Sequence, residues 1–403
     1  MGFSSLDDWI AKITADKQFI TFWHKRLGGA LQASRWQELC SEPGFPTATM
    51  WGEWVKNGDF TNGPACWTLG AGWTEALGGV AVAHAAASAL SSIAQTPGVI
   101  NGRTYRTVFT TSGISGTGNC RIKIGGTAGT NRGTAATFTE NIVAGASGIV
   151  EIEADAALGV TIDDVSVIQE KAFKAYNDTE QGAICHGGNV TPATKHILSA
   201  GHVMGQAAAA NVQQLMILDV LGCYPRIDTS LTTEQALTTV TTLPRYTTGV
   251  GVRAYLVLTS AMAGAPGLTL KYTNSVGLAG QGLPTTVTCG GGSSIANWIC
   301  HTATDCGPFL PLAVGDLGIR SVEGIKLATA AVAGTAALVL ARPLAVLQNN
   351  ISADYPQDRD YFYQVPSLPR VYDGAYLAML AYTGSAVPVL FGQQGGYINL
   401  GWG

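Results

Sequence analysis

Short runs in which apolar and polar residues alternate recur between residues 54 and 170, and glycine-rich turns separate them. The alternation is plain in CRIKIGG (120–126), GIVEIEA (148–154) and GVTIDDVSV (159–167). A period of two puts every second side chain on the same face of a β-strand, so one face can be buried while the other is solvated. Several such strands at short spacing predict an antiparallel β-sandwich.

The chain after residue 170 carries the same kind of signal with longer loops. Apolar runs such as GVGVRAYLVLTSA (249–261), GLTLKYTN (267–274) and GTAALVLARPLAVL (334–347) predict strands, while Pro192 marks a candidate helix start. A glycine count of 51 in 403 residues, with only 12% charged residues, suits tight turns and a surface of Thr, Ser and Asn. The predicted fold class is mainly β: a sandwich-like or jelly-roll-like body with a short N-terminal helical segment and an inserted antiparallel β-sandwich.

The N-terminal segment, residues 1–53, begins with a predicted helix over 5–17. Ser5 and Asp8 fit a capping box, and the apolar residues that follow recur at helical spacing on one face. Further aromatic residues come after this helix, more than so small a segment can bury alone. The segment therefore needs a partner surface, either the rest of its own chain or a neighbouring subunit, and we expect a homo-oligomer.

Charge and hydropathy argue against two classes of partner. The net charge is −4 and no block of Lys or Arg occurs, so binding of nucleic acid through its phosphates is not expected. The longest apolar stretch, 327–341, is too short and too rich in Ala and Gly to cross a bilayer. The N-terminus shows no basic start followed by an apolar run, so the sequence predicts a protein made in a cytoplasm without a secretory signal.

Catalytic motifs do not stand out in the sequence. A nucleophile elbow of the form G-x-S-x-G, a Walker loop and an H-E-x-x-H zinc motif are all missing, so we expect no enzyme. Cys185, His186, His196 and His202 fall within eighteen positions, which leaves open a metal site or polar loop and interface residues.

The cysteines are eight in number and dispersed along the chain. In a protein made in a cytoplasm this pattern favours buried free thiols. Cys289, Cys300 and Cys306 are close enough in sequence to hold one disulfide in an oxidising medium.

Several pieces of the 54–170 segment occur in a recognisable order. They are NGDF (57–60), Trp67 and Trp73, GRTYRTVFT (102–110), IKIGGT (122–127) and IDDVSV (162–167). With this order and spacing the segment resembles the jelly-roll, carbohydrate-binding-module-like domains of glycan-active enzymes and phage virion proteins. The resemblance implies that the opening and closing strands lie together and hold a structural Ca²⁺ at Asp59, Asp163 and Asp164. The alternative is a role for these carboxylates at turns and strand ends.

Glycan binding by such a domain depends on exposed aromatic rings, because a ring offers flat apolar area to a pyranose. The candidates are Trp73, Trp67 and Tyr105, with Arg103 and Arg132 for sugar hydroxyls or carboxylates. Trp67 and Tyr105 lie on predicted strands and are expected in the core. Trp73 lies between Gly and Thr and is expected to be the exposed ring.

A second resemblance covers the remainder of the chain. TPATKHIL (191–198), LPRYTTGVGVRAYL (243–256), FLPLAVGDLGIRSVEGI (309–325) and LPRVYDGAYL (368–377) together resemble head- or particle-associated virion proteins of tailed bacteriophages. The resemblance implies that residues 1–53 and 171–403 form the main virion-attachment domain and that 54–170 is an insertion into it.

The function implied is that of a non-enzymatic virion structural protein, a capsid-surface decoration, cement or head-associated protein assembled in the cytoplasm of a bacterial host. Its expected partners are other virion proteins of the capsid or neck, further copies of itself and cell-surface glycans bound weakly by the sandwich. Two alternatives remain open: a tail-associated receptor-binding adhesin, and a glycan-active enzyme with a targeting module.

Overall fold

The structure is a computed structural model that describes residues 6–26, 35–86, 89–205, 212–238, 242–289, 307–331, 334–348, 357–364, 367–383 and 393–403. The chain divides into two compact units. We call Met1–Trp51 with Lys171–Gly403 the larger unit, and Gly52–Glu170 the inserted unit. The sequence had placed the two junctions at 53/54 and 170/171. Both units are built from antiparallel sheets, so the predicted mainly-β fold class is confirmed.

The N-terminal part of the larger unit contains one short helix and three strands. These elements are α1 (Leu6–Thr14), β1 (Gln18–Arg26), β2 (Arg35–Glu38) and β3 (Gly44–Phe45). The helix predicted over 5–17 is thus present as α1, but the rest of the segment named helical, residues 1–53, is strand and loop where it is described. The reason is visible in β1, where Trp23 and Lys25 are buried while Phe22 and His24 face solvent, as a period of two requires. The predicted capping residue Ser5 lies outside the described residues.

The inserted unit is an antiparallel sandwich of two five-stranded sheets. Its strands are β4 (Thr61–Pro64), β5 (Thr68–Leu69), β6 (Trp73–Ala76), β7 (Ala81–His84), β8 (Ser91–Gln95), β9 (Thr104–Gly116), β10 (Cys120–Ile124), β11 (Thr127–Ala128), β12 (Ala136–Val143), β13 (Val150–Ala154) and β14 (Leu158–Ile168). One sheet has the order β11-β10-β13-β8-β5 and the other β12-β9-β14-β7-β6. Side chains from both sheets form a single buried cluster.

The two chain ends of the inserted unit lie side by side. The amide of Trp54 donates to the carbonyl of Val167 at 2.9 Å, and the amide of Val165 donates to the carbonyl of Gly58 at 2.8 Å. The Glu53 carboxylate accepts hydrogen bonds of 2.6 Å from both the Ser166 hydroxyl and the Val167 amide. Adjacent ends are the geometry that lets one domain be carried within another.

The rest of the larger unit is almost entirely strand. Its elements are β15 (Lys174–Ala175), β16 (Lys195–Gly205), β17 (Val212–Asp228), β18 (Gln235–Ala236), β19 (Arg253–Leu258), β20 (Gly267–Asn274), β21 (Gln281–Gly282), β22 (Val287–Thr288), β23 (Ile319–Leu327), β24 (Thr335–Gln348), β25 (Gln357–Asp360), α2 (Tyr361–Gln364), β26 (Arg370–Val371), β27 (Tyr376–Thr383) and β28 (Gln393–Trp402). The strands predicted at 249–261, 267–274 and 334–347 are confirmed as β19, β20 and β24.

Three sheets make up the larger unit. The central one has the order β19-β24-β17-β27-β2, with β15 also paired to β17. A second sheet runs β25-β16-β28-β1-β3 with β26 on β16, and a third runs β18-β23-β20-β21 with β22 on β20. Strand β17 supplies side chains to a core shared with each of the other sheets and to a third core of its own sheet, so both of its faces are buried.

Pro192 does not begin a helix. Its peptide bond with Thr191 is cis, and the chain continues into β16 and β17. A strand that is buried on both faces reads as a continuous apolar run, which the sequence pattern alone does not separate from a buried helix. Within the described ranges, no helix has the length and apolar character needed to cross a membrane.

Candidate functional site

The rings considered for sugar stacking all lie in the core of the inserted unit. The exposed fraction is 4% for Trp73, 7% for Trp67 and 0% for Tyr105. Burial of Trp67 and Tyr105 was expected, but the prediction that Trp73 presents its ring to solvent is wrong. Trp73 opens strand β6 on the inner side of its sheet and packs against His84, with 5.0 Å between ring centroids. A buried ring cannot stack on a pyranose, so none of the three can serve a sugar in this conformation.

The two arginines proposed beside these rings differ in their surroundings. Arg103 is exposed and directly precedes β9. The Arg132 guanidinium lies 4.6 Å from the centroid of the Phe138 ring and 3.6 Å from the Glu140 carboxylate, so it is engaged within the unit. Arg103 is thus the one sugar-binding candidate from the sequence whose side chain is exposed.

The calcium candidates lie where the opening and closing strands of the inserted unit meet. Asp163 and Asp164 occupy an irregularity of β14, and the Asp164 amide donates to Asp163 Oδ1 at 2.7 Å. Asp59 accepts a hydrogen bond of 3.3 Å from the Thr61 hydroxyl. Burial, with the nearby charges of Asp164 and Asp59, raises the pKa of Asp163. Among the described residues, no three acidic, His or Cys side chains are grouped so that they could hold a metal ion, and the calcium site stays a prediction.

The cysteine and histidines that are close in the sequence contact different residues in the structure. His186 is buried beside Lys195 and has its Nε2 3.2 Å from an Asp178 oxygen. His202 stacks on Trp23 with an interplanar angle of 8°, and Cys185 is exposed. The sequence had left a metal site and polar loop residues open, and this placement favours the latter.

The described cysteines are all free thiols. Cys40, Cys120, Cys223 and Cys289 are buried as expected, whereas Cys66 and Cys185 are exposed, which the sequence did not indicate. Cys300 and Cys306, considered for a disulfide with Cys289, lie outside the described residues.

A cleft of about 940 Å³ opens in the larger unit. One wall is the loop 244–250, the other is the segment 367–373 with residues 191–195, and strand β24 contributes Arg342 to Leu344 between them. The loop wall is anchored by hydrogen bonds from the Gly249 amide to the Tyr246 carbonyl at 2.7 Å and from the Gly251 amide to the Leu317 carbonyl at 2.8 Å.

Two arginines and two tyrosines form a continuous row across this cleft, which we call the Arg–Tyr row. The Arg342 guanidinium lies 5.4 Å from the Tyr246 ring centroid, and Tyr246 meets Tyr372 edge-on at 4.8 Å between centroids. The Arg370 guanidinium lies 4.1 Å from the Tyr372 centroid. Each distance is within the range of cation–π and edge-to-face contacts, so the four side chains hold one another in place.

Tyr246 has a backbone conformation that few residues other than glycine adopt, with φ of 49°. Its hydroxyl is buried and has no hydrogen-bond partner in the described part of the chain. Burial, followed by the charge of Asp219, raises the pKa of this hydroxyl. Strained and unsatisfied residues concentrate at binding sites, where the surrounding structure holds them.

A buried ion pair supports the cleft. Arg245 and Asp219 have side chains 6% and 0% exposed, and Arg245 donates to both carboxylate oxygens at 2.7 to 3.1 Å. The same guanidinium donates to the carbonyls of Tyr176 and Val220 at 3.1 and 2.8 Å. The pair therefore joins the loop wall to the central sheet.

Lys195 holds the far wall in a similar way. Its ammonium group donates to His186 Nδ1 at 2.9 Å, to the His186 carbonyl at 2.7 Å and to the Gly188 carbonyl. Because Nδ1 accepts, the His186 proton resides on Nε2, which faces Asp178. Asp373 accepts from the Val190 amide at 2.9 Å and from Thr191, and these contacts fix the rim of the cleft.

Sequence reasoning missed this cleft, although a signal was present. Both walls carry the same local pattern, Leu-Pro-Arg followed by Tyr, in LPRY (243–246) and LPRVY (368–372), and an Arg-Pro pair recurs at 342–343. In the sequence these segments indicated only the resemblance to virion proteins. Their repetition could have singled them out, but not their meeting in space.

No family model and no curated protein matches the chain. Among solved structures, the chain is similar to one described as "The 2.6A structure of Infectious Bursal Virus Derived T=1 Particles", with 10% identity, a TM-score of 0.12, and coverage of 95% of this chain and 77% of that one. A likeness at this TM-score carries no argument about fold or function.

Proposed function

We propose that the chain is a non-enzymatic structural protein of a virus particle and that copies of it contact one another through the larger unit. The observation that carries this proposal is the solvent face of the sheet β25-β16-β28-β1-β3. We call this surface the apolar sheet face and define it by Ile20, Phe22, Phe45, Val203 and Tyr397.

The apolar sheet face exposes large side chains that a monomer in water would be expected to bury. The exposed fraction is 65% for Phe22, 63% for Phe45, 47% for Ile20 and 41% for Val203. The strand register makes these residues neighbours, since Phe22 is paired with Tyr397 and Phe45 with His24 on adjacent strands. A contiguous apolar patch on a sheet face is typical of a protein–protein interface.

The charges beside this patch suit a second copy of the same chain. Asp358 and Asp360 lie on β25 at one edge of the sheet, and His24 and Arg26 lie on β1 towards the other edge. In a two-fold contact both copies use the same surface, so if residue i of one copy contacts residue j of the other, residue j of the first also contacts residue i of the second. The acidic edge of one copy then faces the basic edge of the other while the apolar side chains meet in the middle.

The finer assignment follows the resemblances given above. We propose a capsid-surface decoration or head-associated role in a tailed bacteriophage, with the inserted unit as an accessory sandwich. Weak glycan binding by that unit would have to use surface side chains such as Arg103, since its tryptophan candidates are in the core. Many copies per particle would turn weak binding into useful avidity.

Light scattering coupled to size-exclusion chromatography tests the self-contact. We expect the intact chain to form a dimer or larger oligomer and Phe22→Ser to shift it towards monomer. Val314→Ser is the matched control, because Val314 is 98% exposed and lies in the loop before β23, outside the strands of this sheet. A monomer at tens of micromolar for the unaltered chain, or an equal effect of both substitutions, would refute the proposed contact.

Gold labelling of purified particles with an antibody to the chain tests the location. Labels over the capsid support the decoration role. Labels confined to the tail tip would support the adhesin instead.

A further inference from the structure

We propose that the cleft of the larger unit is a binding site for acidic saccharides, whose carboxylates pair with Arg342 and Arg370 and whose sugar rings contact Tyr246 and Tyr372. This site lies in a different unit from the one in which the sequence placed glycan binding. The inference does not depend on the structural role proposed above, because it concerns the chain in solution.

Among the described residues, the two arginines of the Arg–Tyr row have no carboxylate partner. Neither Arg342 nor Arg370 makes an ion pair in the part of the chain that the structure describes. Arg342 uses one of its N–H groups on the Val250 carbonyl at 2.5 Å, and its guanidinium is otherwise stacked on a ring. Stacking engages the faces of a guanidinium and leaves its N–H edge available for the bidentate bonds that carboxylates prefer.

The acidic groups near the cleft are already committed. Asp219 is held by Arg245, and Asp373 accepts from Val190 and Thr191. Hydrogen bonds and the charge of Lys195 outweigh burial and lower the pKa of Asp373, so it remains an ionised acceptor for its own loop. The cleft therefore presents unbalanced positive charge in a chain whose net charge is −4. An anionic ligand is the partner that this charge favours.

The remaining lining distinguishes a sugar from other anions. Thr247, Thr248 and Ser367 add hydroxyl groups to the lining of the cleft. The Thr191 hydroxyl donates to Asp373 and the Thr194 hydroxyl to the Gly403 carbonyl, so these two are already engaged. Hydroxyls that can donate and accept match a polyhydroxylated ligand, and tyrosine rings match the apolar faces of a pyranose. We commit to a saccharide because it alone combines carboxylates with hydroxyl groups and apolar ring faces that fit this lining.

The site is organised before any ligand binds. A side chain at Gly251 would lie 1.6 Å from the Arg342 guanidinium, so glycine at this position, with φ of 72°, is what allows Arg342 to lie against the loop. The strained backbone of Tyr246 and the ion pair under the loop fix the other wall. Preorganisation of this kind reduces the entropy lost on binding.

Isothermal titration of the intact chain with a trimer of galacturonic acid tests the site. The matched ligand is the fully methyl-esterified trimer, which keeps the rings and hydroxyls but lacks the charges. We expect binding of the acid trimer, loss of binding on esterification, and weakening as sodium chloride is raised, because the contacts are partly exposed.

Two variants and one control connect the binding to the residues. Arg342→Gln and Arg370→Gln should each weaken the affinity for the acid trimer about 10-fold or more, which is the range expected when a hydrogen bond to a charged group is lost. Arg359→Gln is the control, since the Arg359 guanidinium also stacks on a tyrosine, 5.4 Å from the Tyr361 centroid, and donates to a carbonyl, but lies outside the cleft. It should leave the affinity unchanged.

Three outcomes would overturn the inference. The first is that the folded chain gives no heat of binding at millimolar acid trimer. The second is that the esterified trimer binds as tightly as the acid trimer. The third is that Arg359→Gln weakens binding as much as Arg342→Gln or Arg370→Gln does. A pentaglutamate peptide that binds more tightly than the trimer would also overturn it and would point to an acidic peptide ligand instead.

Discussion

Arg245→Met removes the guanidinium that joins the cleft loop to the central sheet while keeping most of the apolar stem. The side chain makes hydrogen bonds to both oxygens of Asp219 and to two backbone carbonyls, all of them buried. The substitution leaves the Asp219 carboxylate, which is 0% exposed, with only the Tyr376 amide at 3.2 Å as a donor among these contacts.

The expected cost is about 3–5 kcal/mol in the free energy of unfolding of the larger unit, the usual range when one partner of a buried pair is removed. For a unit of this size the loss corresponds to a decrease in Tm of roughly 6–10 °C. Replacement of both partners, in the double variant Asp219→Leu/Arg245→Met, should recover part of the loss, because no uncompensated charge then remains buried.

The loss should also depend on pH. Burial already raises the pKa of Asp219, and the Arg245 hydrogen bonds act against this. Without Arg245 the pKa of the folded state rises further, so the folded variant binds its proton more tightly than the unfolded chain does. Stability is then lost as the pH rises above the pKa of an aspartate in the unfolded chain, about 4. The free energy of unfolding of the variant should therefore be closer to that of the unaltered protein at pH 5 than at pH 8.

Urea unfolding, monitored by hydrogen exchange of the β17 amides, measures this loss in the free energy of unfolding. Exchange of the β9 amides in the inserted unit gives an internal reference. Arg320→Met, at an exposed position of β23, is the control and should change stability by no more than about 0.5 kcal/mol. If Arg245→Met unfolds within about 1 kcal/mol of the unaltered chain, the pair does not hold the loop as argued. An equal loss at pH 5 and pH 8 would show that Asp219 is not left charged.

Four smaller predictions concern other parts of the chain. Glu53→Ala should lower the stability of the inserted unit by about 1–3 kcal/mol in urea unfolding, since its carboxylate ties the closing strand to the opening one; no change would mean that the ends are not joined there. Trp73→Ala should cost about 3–5 kcal/mol, as for a core ring, and a melting curve like that of the unaltered unit would contradict its burial. Burial, with the charge of Lys195, lowers the pKa of His186, so the folded state resists a proton that the unfolded chain takes up; stability of the larger unit should therefore decrease as pH falls below about 6.5, and His186→Gln should flatten that slope. Cys66 and Cys185 should react with iodoacetamide in the native protein before the buried described cysteines do, as peptide mass spectrometry can show, and uniform labelling would refute their placement.

The sequence was most informative where strands have one buried and one solvated face. In β10 the burial alternates residue by residue, which is the pattern that the letters CRIKI predict. It was least informative where that contrast disappears. Strand β17 is buried on both faces, and β1 exposes phenylalanine and isoleucine on its solvent side, so neither shows the hydrophobic-in, polar-out alternation.

The candidate site was less predictable than the fold for a different physical reason. The residue type of a tryptophan does not tell whether its ring fills a core or faces a sugar, and Trp73 was assigned to the wrong one of these two. The Arg–Tyr row depends on contacts between segments far apart in sequence, which a local pattern does not specify. The repeated Leu-Pro-Arg motif could mark the segments of interest, but it does not specify the pairing of β26 with β16 and of β24 with β17 that places them in the fold.

The adjacent ends of the inserted unit affect the order in which the chain can fold. While Gly52–Glu170 is unfolded, the larger unit must close a loop of 119 residues before β1 and β2 can join strands that come after it. Once the insert has folded, its adjacent ends make the same connection equivalent to a loop of about five residues. The free-energy cost of closing the loop then decreases by roughly 3 kcal/mol. The sandwich can thus lower the barrier to assembly of the unit that carries it, and a variant that delays folding of the insert should slow folding of the whole chain.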